Sequence, residues 1–99
     1  MKKKFTKVDV SDGEEALMGQ TTLEITKHGL LQTTKRPKTS ACDPWSHIQF
    51  VELMEYGRGP HTVKVQFTSG ITIYYQPKTR GDAKDLYKGI TKHFGKTKG

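Results

Sequence analysis

The last third of the chain restricts the fold more than any other part. At about 100° per residue, Ala83, Leu86, Tyr87, Ile90 and Phe94 gather on one face of a helix, and Lys84, Lys88, Lys92 and Lys96 fall on the opposite face. A helix with one apolar stripe has to lay it on something. Thr79-x-x-Asp82 resembles a capping box at its start, with an acid in the first turn to suit the dipole, and Gly95 is a candidate for its end. Residues 96–99, KTKG, read as a frayed basic tail.

The surface that receives this stripe has to come from the strands upstream. TVKVQF sets Val63, Val65 and Phe67 inward, with Lys64 and Gln66 outward. ITIYYQ sets Ile71, Ile73 and Tyr75 inward, with Thr72, Tyr74 and Gln76 outward. Ser69-Gly70 between them reads as a two-residue hairpin connection. Earlier, Leu23 and Ile25 share one face of Thr21–Lys27, KHG offers a turn, and Leu31 and Thr33 continue a second strand until Pro37. Thr39–Pro44 reads as a polar loop. In WSHIQFVELMEY the apolar positions Ile48, Phe50, Val51 and Leu53 change phase at Phe50-Val51, the trace that a β-bulge or a strong bend leaves. GRGP at Gly57–Pro60 is a turn. Phe5–Val10 alternates only weakly and is a candidate short edge strand within a flexible 1–16 segment.

Ninety-nine residues make a single domain, 1–99, with one modest core. Only 32% of the residues are hydrophobic and the mean hydropathy is -0.72, yet the apolar residues are patterned, unlike those of a disordered chain. The net charge of +7 favours acidic partners: nucleic acid, an anionic membrane or an acidic protein. Basic residues cluster at Lys2–Lys7, at Lys35, Arg36 and Lys38, and from Lys78 onward; acids gather at Asp9, Asp12, Glu14 and Glu15. A lone cysteine, Cys42, excludes an internal disulfide and suits a reducing cytoplasm. No apolar run follows the opening Met-Lys-Lys-Lys, and none approaches the ~18 residues of a membrane span. The expectation is a soluble cytoplasmic protein.

An antiparallel β meander or roll of about 5–7 strands, closed by one C-terminal amphipathic helix, is an α+β arrangement. It resembles the PH-like superfold, a bent β-roll with a helix plugging one open end. GQTTLEITKHGLL looks like an opening strand pair, HIQFVELMEYGRGPHTVKVQFTSGITIYY like the central meander, and DAKDLYKGITKHF like the closing helix. In a second register, GLLQTTK and WSHIQFVEL form the first hairpin of a PH domain. The closing helix of that family usually carries a tryptophan, where this chain has Tyr87 and Phe94. Its phosphoinositide-binding members place a lysine on the first strand and an alternating basic pair on the second. Lys35 fills the first role, but Ser46, His47 and Ile48 stand in the second. The resemblance implies a binding module.

Other local groupings have plainer explanations. CDPWSH holds Cys42, Asp43, Ser46 and His47, but catalytic sets are assembled from distant segments, and a Pro-Trp loop anchor explains the same residues. Cys42 and His47 are two ligands where a structural zinc site wants four, and His28, His61 and His93 do not complete the set. RGD at Arg80–Asp82 fits a strand-to-helix connection with an acidic cap. GRGP lacks the converging amides of an anion nest, leaving Arg58 at its tip as a contact candidate. The lysine ridge repels itself by roughly 0.2–0.5 kcal/mol per neighbouring pair, so it serves either solubility or a polyanion.

Two readings follow, neither involving a cofactor, a metal or catalysis. The first is a non-enzymatic PH-like module recognising a protein partner or an acidic head group. The alternative is a basic nucleic-acid-binding accessory protein using the C-terminal helix and the lysine-rich ends on phosphates. Candidate contacts are Lys35, Arg36, Lys38, Arg58, Tyr74 (which could stack on a base), Lys78, Arg80, Lys84, Lys88 and Lys92.

Overall fold

The computed structural model describes residues 4–12, 17–35, 38–59 and 61–98. Its strands run β1 Lys4–Ser11, β2 Leu17–Ile25, β3 Gly29–Lys35, β4 Lys38–Pro44, β5 Ile48–Met54, β6 Thr62–Phe67 and β7 Thr72–Gln76. A 3-10 turn at Trp45–His47 joins β4 to β5, and helix α1 spans Arg80–Lys98. All pairings are antiparallel, in one sheet of order β4-β3-β2-β1-β7-β6-β5. Inner-face side chains from both halves of the sheet belong to one cluster, including Val8, Leu23 and Leu30 with Val63, Val65 and Tyr75. That is possible only if the sheet curls round on itself.

Two of the three register irregularities in the sheet, one in β1 and one in β5, favour the bend. In β1, the register advances from Phe5↔Leu23 to Val8↔Thr21, an extra residue on β1, and Lys7 there takes a left-handed φ of 54°. In β5, Ile48 pairs with Phe67 and Phe50 with Gln66, again with one residue to spare. Each bulge lets side chains three apart face inward, Phe5 with Val8 and Ile48 with Val51, while Phe50 turns out. Bulges of this kind raise twist and bend a strand. The phase change in the sequence near Phe50 thus marks a real bulge, and the weak alternation over Phe5–Val10 has the same origin.

Several sequence expectations need correction. Phe5–Val10 belongs to a strand in the middle of the sheet, between β2 and β7, rather than at an edge. Thr39–Pro44 is not a loop but most of β4, paired residue for residue with β3. GLLQTTK therefore pairs with β4, and WSHIQFVEL is not its hairpin partner. The β6–β7 connection runs from Thr68 to Ile71, and Phe67 and Ile71 close a three-residue turn within it, with Gly70 N–H to Phe67 O at 2.9 Å and Phe67 N–H to Ile71 O at 2.8 Å. Gly70 takes φ +96°, the left-handed position that a three-residue hairpin with a glycine bulge requires. This places Ile71 outside β7 and 57% exposed, whereas Ile73 and Tyr75 do face inward. Helix α1 also continues past Gly95 to Lys98.

The helix begins as its sequence indicates. Thr79 Oγ1 accepts the Asp82 N–H at 3.0 Å, a cap of the kind worth about 1 kcal/mol. Ala83, Leu86 and Ile90 are fully buried, with Tyr87 packed against the same cluster; the side chain of Phe94 lies outside the described residues. α1 packs on β5, β6, β2 and the 3-10 turn. Gly89 lets it approach closely, since a Cβ there would stand 3.0 Å from Ile25. Among the described residues no helix is long and apolar enough to cross a membrane.

Candidate functional site

The basic residues singled out in the sequence divide among separate surfaces. Lys35 and Lys38 face each other at the end of the β3–β4 hairpin; Arg36 lies outside the described residues. Arg58 is exposed in the β5–β6 connection. Arg80 is spoken for by the fold, because its Nη2 donates to the Gly57 carbonyl at 2.8 Å and ties that connection to the helix start. Lys78 is exposed just ahead of it, and Lys84, Lys88 and Lys92 are exposed along α1, opposite the buried stripe. Tyr74 is half-buried with the Lys64 ammonium 6.0 Å from its ring centroid. Because Tyr75 enters the core, period-two alternation turns Tyr74 to the outer face of the sheet, away from α1. The ridge and the aromatic do not share a surface.

CDPWSH resolves into the end of β4 and the 3-10 turn. Trp45 is buried, stacks on His93 with ring centroids 4.7 Å apart, and donates from Nε1 to the Thr26 carbonyl at 2.9 Å. It is the anchor that its Pro-Trp context indicates. Cys42 is exposed on β4. Among the described residues no group of three or more His, Cys, Asp and Glu comes within metal-holding distance.

A cleft of about 250 Å³ opens between this segment and the β6–β7 hairpin, lined by Gln32, Asp43, His47, Phe67, Thr68, Ser69, Ile71 and Ile73. Its walls are fixed by the backbone. Thr68 N–H donates to the His47 carbonyl at 2.8 Å, pinning the hairpin to the 3-10 turn. On the other side, a Cβ at Gly29 would lie 2.1 Å from the Asp43 carbonyl oxygen, so only glycine lets β3 and β4 meet as they do. Gln32 Nε2 donates to Asp43 Oδ2 at 2.9 Å.

Near these two side chains lies the Tyr75 hydroxyl, fully buried and without a hydrogen-bond partner. Burial pushes its phenol well above the ordinary value, the Asp43 carboxylate adds to the rise, and the nearby Gln32 amide opposes it without reaching bonding geometry. Sequence reasoning noticed Asp43 and His47 as neighbours in a loop. It missed Gln32, Thr68 and Ser69, which carry no local motif.

One more feature adjoins the cleft. β4 is an edge of the sheet, and Lys38 to Cys42 are all exposed along it. Its middle is Thr39, Ser40, Ala41 and Cys42, small, uncharged and in unbroken register with β3; the charges and the proline of the strand, Lys38, the inward Asp43 and Pro44, stand at its two ends. The other edge, β5, carries its bulge and lies against α1.

No protein-family model matches the chain, and no curated protein does. Eight chains of solved structures match it. One, the structure of the Spt16D Pob3N heterodimer, aligns with 96% of this chain and 51% of its own length, at a TM-score of 0.70 and 13% identity. The chain thus spans about half the length of that neighbour. Likeness at this identity establishes the fold: an antiparallel seven-stranded sheet followed by one C-terminal helix, PH-like.

Proposed function

We propose that the chain is a non-enzymatic binding module, working in the cytoplasm, whose partner is a protein. The observation that carries this reading is the bare β4 edge. The Thr39–Cys42 stretch of this edge, uncharged and without proline, offers alternate N–H and C=O groups to an incoming extended segment, the basis of recognition by strand addition. The fold neighbour, itself solved as a heterodimer, supports the same class of function by analogy.

An acidic head group is the weaker form of the reading. With β1 and β2 as the first hairpin, their connection carries Asp12, Glu14 and Glu15, and β2 presents Gln20, Thr22 and Glu24 where a basic pair would be needed. The nucleic-acid alternative rests on the exposed Lys84, Lys88 and Lys92. It supplies charge without readout, since Tyr74 lies on another face.

The test is affinity capture by the full chain from lysate, with and without nuclease, alongside vesicles containing phosphoinositide. Recovery of a protein unaffected by nuclease, with no vesicle binding, is expected. Proline at Ser40 or at Ala41 sharpens the result, because one of two adjacent residues turns its N–H away from β3. The variant that keeps its Tm should lose the partner. Undiminished capture by that variant would remove the edge from consideration, and recovery abolished by nuclease would transfer the function to the lysine ridge.

A further inference from the structure

We infer that the cleft between β4 and the β6–β7 hairpin receives a cationic side chain, a lysine ammonium or an arginine guanidinium, presented by the protein partner. This rests on the reading of the chain as a protein-binding module and gives that partner a chemistry. Among the described residues, Asp43 is the one carboxylate lining the cleft. It is half-buried, its hydrogen bond comes from the neutral Gln32 amide at 2.9 Å, and no described lysine or arginine is paired with it. A carboxylate has room for about four hydrogen bonds, and in a chain of net charge +7 an acid left with a neutral donor alone is conspicuous.

The Tyr75 hydroxyl, buried and unpartnered, lies in the core close to Gln32 and Asp43. Thr68 and Ser69 add hydroxyls to the opposite wall, and Phe67, Ile71 and Ile73 supply an apolar lining. Oxygen acceptors combined with apolar walls match a methylene stem carrying a charged head. An anion meets the Asp43 carboxylate instead. An apolar group would cover the Asp43 carboxylate without bonding it, which is costly.

Size agrees with this choice. At about 250 Å³ the cleft is smaller than the ~300–1,000 Å³ typical of drug-sized ligands, and suits one side chain. Position agrees too. Asp43 pairs with the buried Leu30, so it lies on the inner face of β4. A segment added along β4 would bring every second side chain to that face, with opposed Cβ atoms ~5 Å apart.

The experiment titrates the full chain with butylammonium and butylguanidinium, analogues of the two side chains, following backbone amides by NMR. Butyrate and inorganic phosphate serve as anionic probes. Saturable shifts confined to Gln32, Asp43, Thr68 and Ser69 are expected from the cations and none from the anions. Asp43→Asn keeps an acceptor for the Gln32 amide. With an unchanged spectrum elsewhere it should weaken cation binding on the order of tenfold. Absence of saturable cation shifts, equal response to the anions, or undiminished cation binding by Asp43→Asn would overturn the inference. The proline variants of β4 separate the two levels. Capture that depends on the edge while the cations fail overturns the cleft alone, and nuclease-sensitive capture overturns the protein-binding reading together with it.

Discussion

Tyr75→Phe deletes one oxygen from the centre of the molecule, and the structure indicates that the protein becomes more stable for it. Tyr75 is fully buried, and its hydroxyl has no hydrogen-bond partner. A buried hydroxyl left without a partner costs roughly 1–3 kcal/mol of desolvation that phenylalanine does not incur. The space vacated is smaller than a water, so the opposing cavity loss is small. A net gain of about 1 kcal/mol is expected, which for a domain of this size raises Tm by ~4–8 °C.

The same residue leaves a signature in pH. Burial holds the phenol protonated above its ordinary value of 10.0, so between that value and its folded value the native state binds more protons than the unfolded state. Stability is therefore complete below pH 10 and falls as pH rises beyond it, by at most ~1.4 kcal/mol per pH unit. Urea unfolding of parent and variant, run at neutral pH and in steps above pH 10, reads both effects. The variant should lack the tyrosine's share of the alkaline decline. A variant less stable than the parent by 1 kcal/mol or more at neutral pH, a margin of the size a typical hydrogen bond contributes, would refute the reasoning, since it would mean that the hydroxyl is satisfied in the folded protein.

Three further outcomes are expected. Leu86→Ala and Ile90→Ala, both at fully buried positions of α1, should each lower unfolding free energy by about 2–5 kcal/mol in denaturant titrations. Neutralising Lys84, Lys88 and Lys92 together should leave partner capture intact and slightly raise Tm by relieving repulsion; a parent protein whose affinity for DNA falls steeply with salt, and a triple variant in which that slope flattens by roughly one unit per lysine, would instead assign the ridge to phosphates. Cys42→Ser should change neither Tm nor capture, because the thiol is exposed and a strand added along β4 bonds its backbone; loss of capture would make the thiol itself a participant.

Where a periodicity was strong, the fold was legible. The stripe Ala83, Leu86, Ile90 and the inward set Val63, Val65, Phe67 were readable because a helix against a strand fixes which residues repeat at which interval, and burial follows. β4 escaped notice for the opposite reason. As an exposed edge it buries too little to need an apolar alternation, so Lys38–Pro44 has the composition of a loop while keeping perfect register with β3. β1 was half-legible: the bulge at Lys7 puts Phe5 and Val8 on one face, which spoils period-two alternation in a strand that is in fact central.

The cleft was beyond the reach of a local reading, because its two walls belong to opposite halves of the sheet. Gln32 and Asp43 lie on β3 and β4, while Thr68 and Ser69 sit in the hairpin between β6 and β7. In strand order these are separated by β2 and β1, and they face one another only because the sheet curls. Alternation along one strand reports which face a side chain takes, and never which distant face it will meet. What sets the meeting is backbone geometry at a few positions: the bulges at Lys7 and after Ile48, the close approach that Gly29 permits, and the left-handed Gly70 that shapes the hairpin. Each is visible in the sequence as a glycine or a broken pattern, but its consequence is defined only when all of them act on the same sheet. A carboxylate on the inner face of an edge strand is therefore an ordinary loop acid in the sequence and a candidate recognition group in the folded chain.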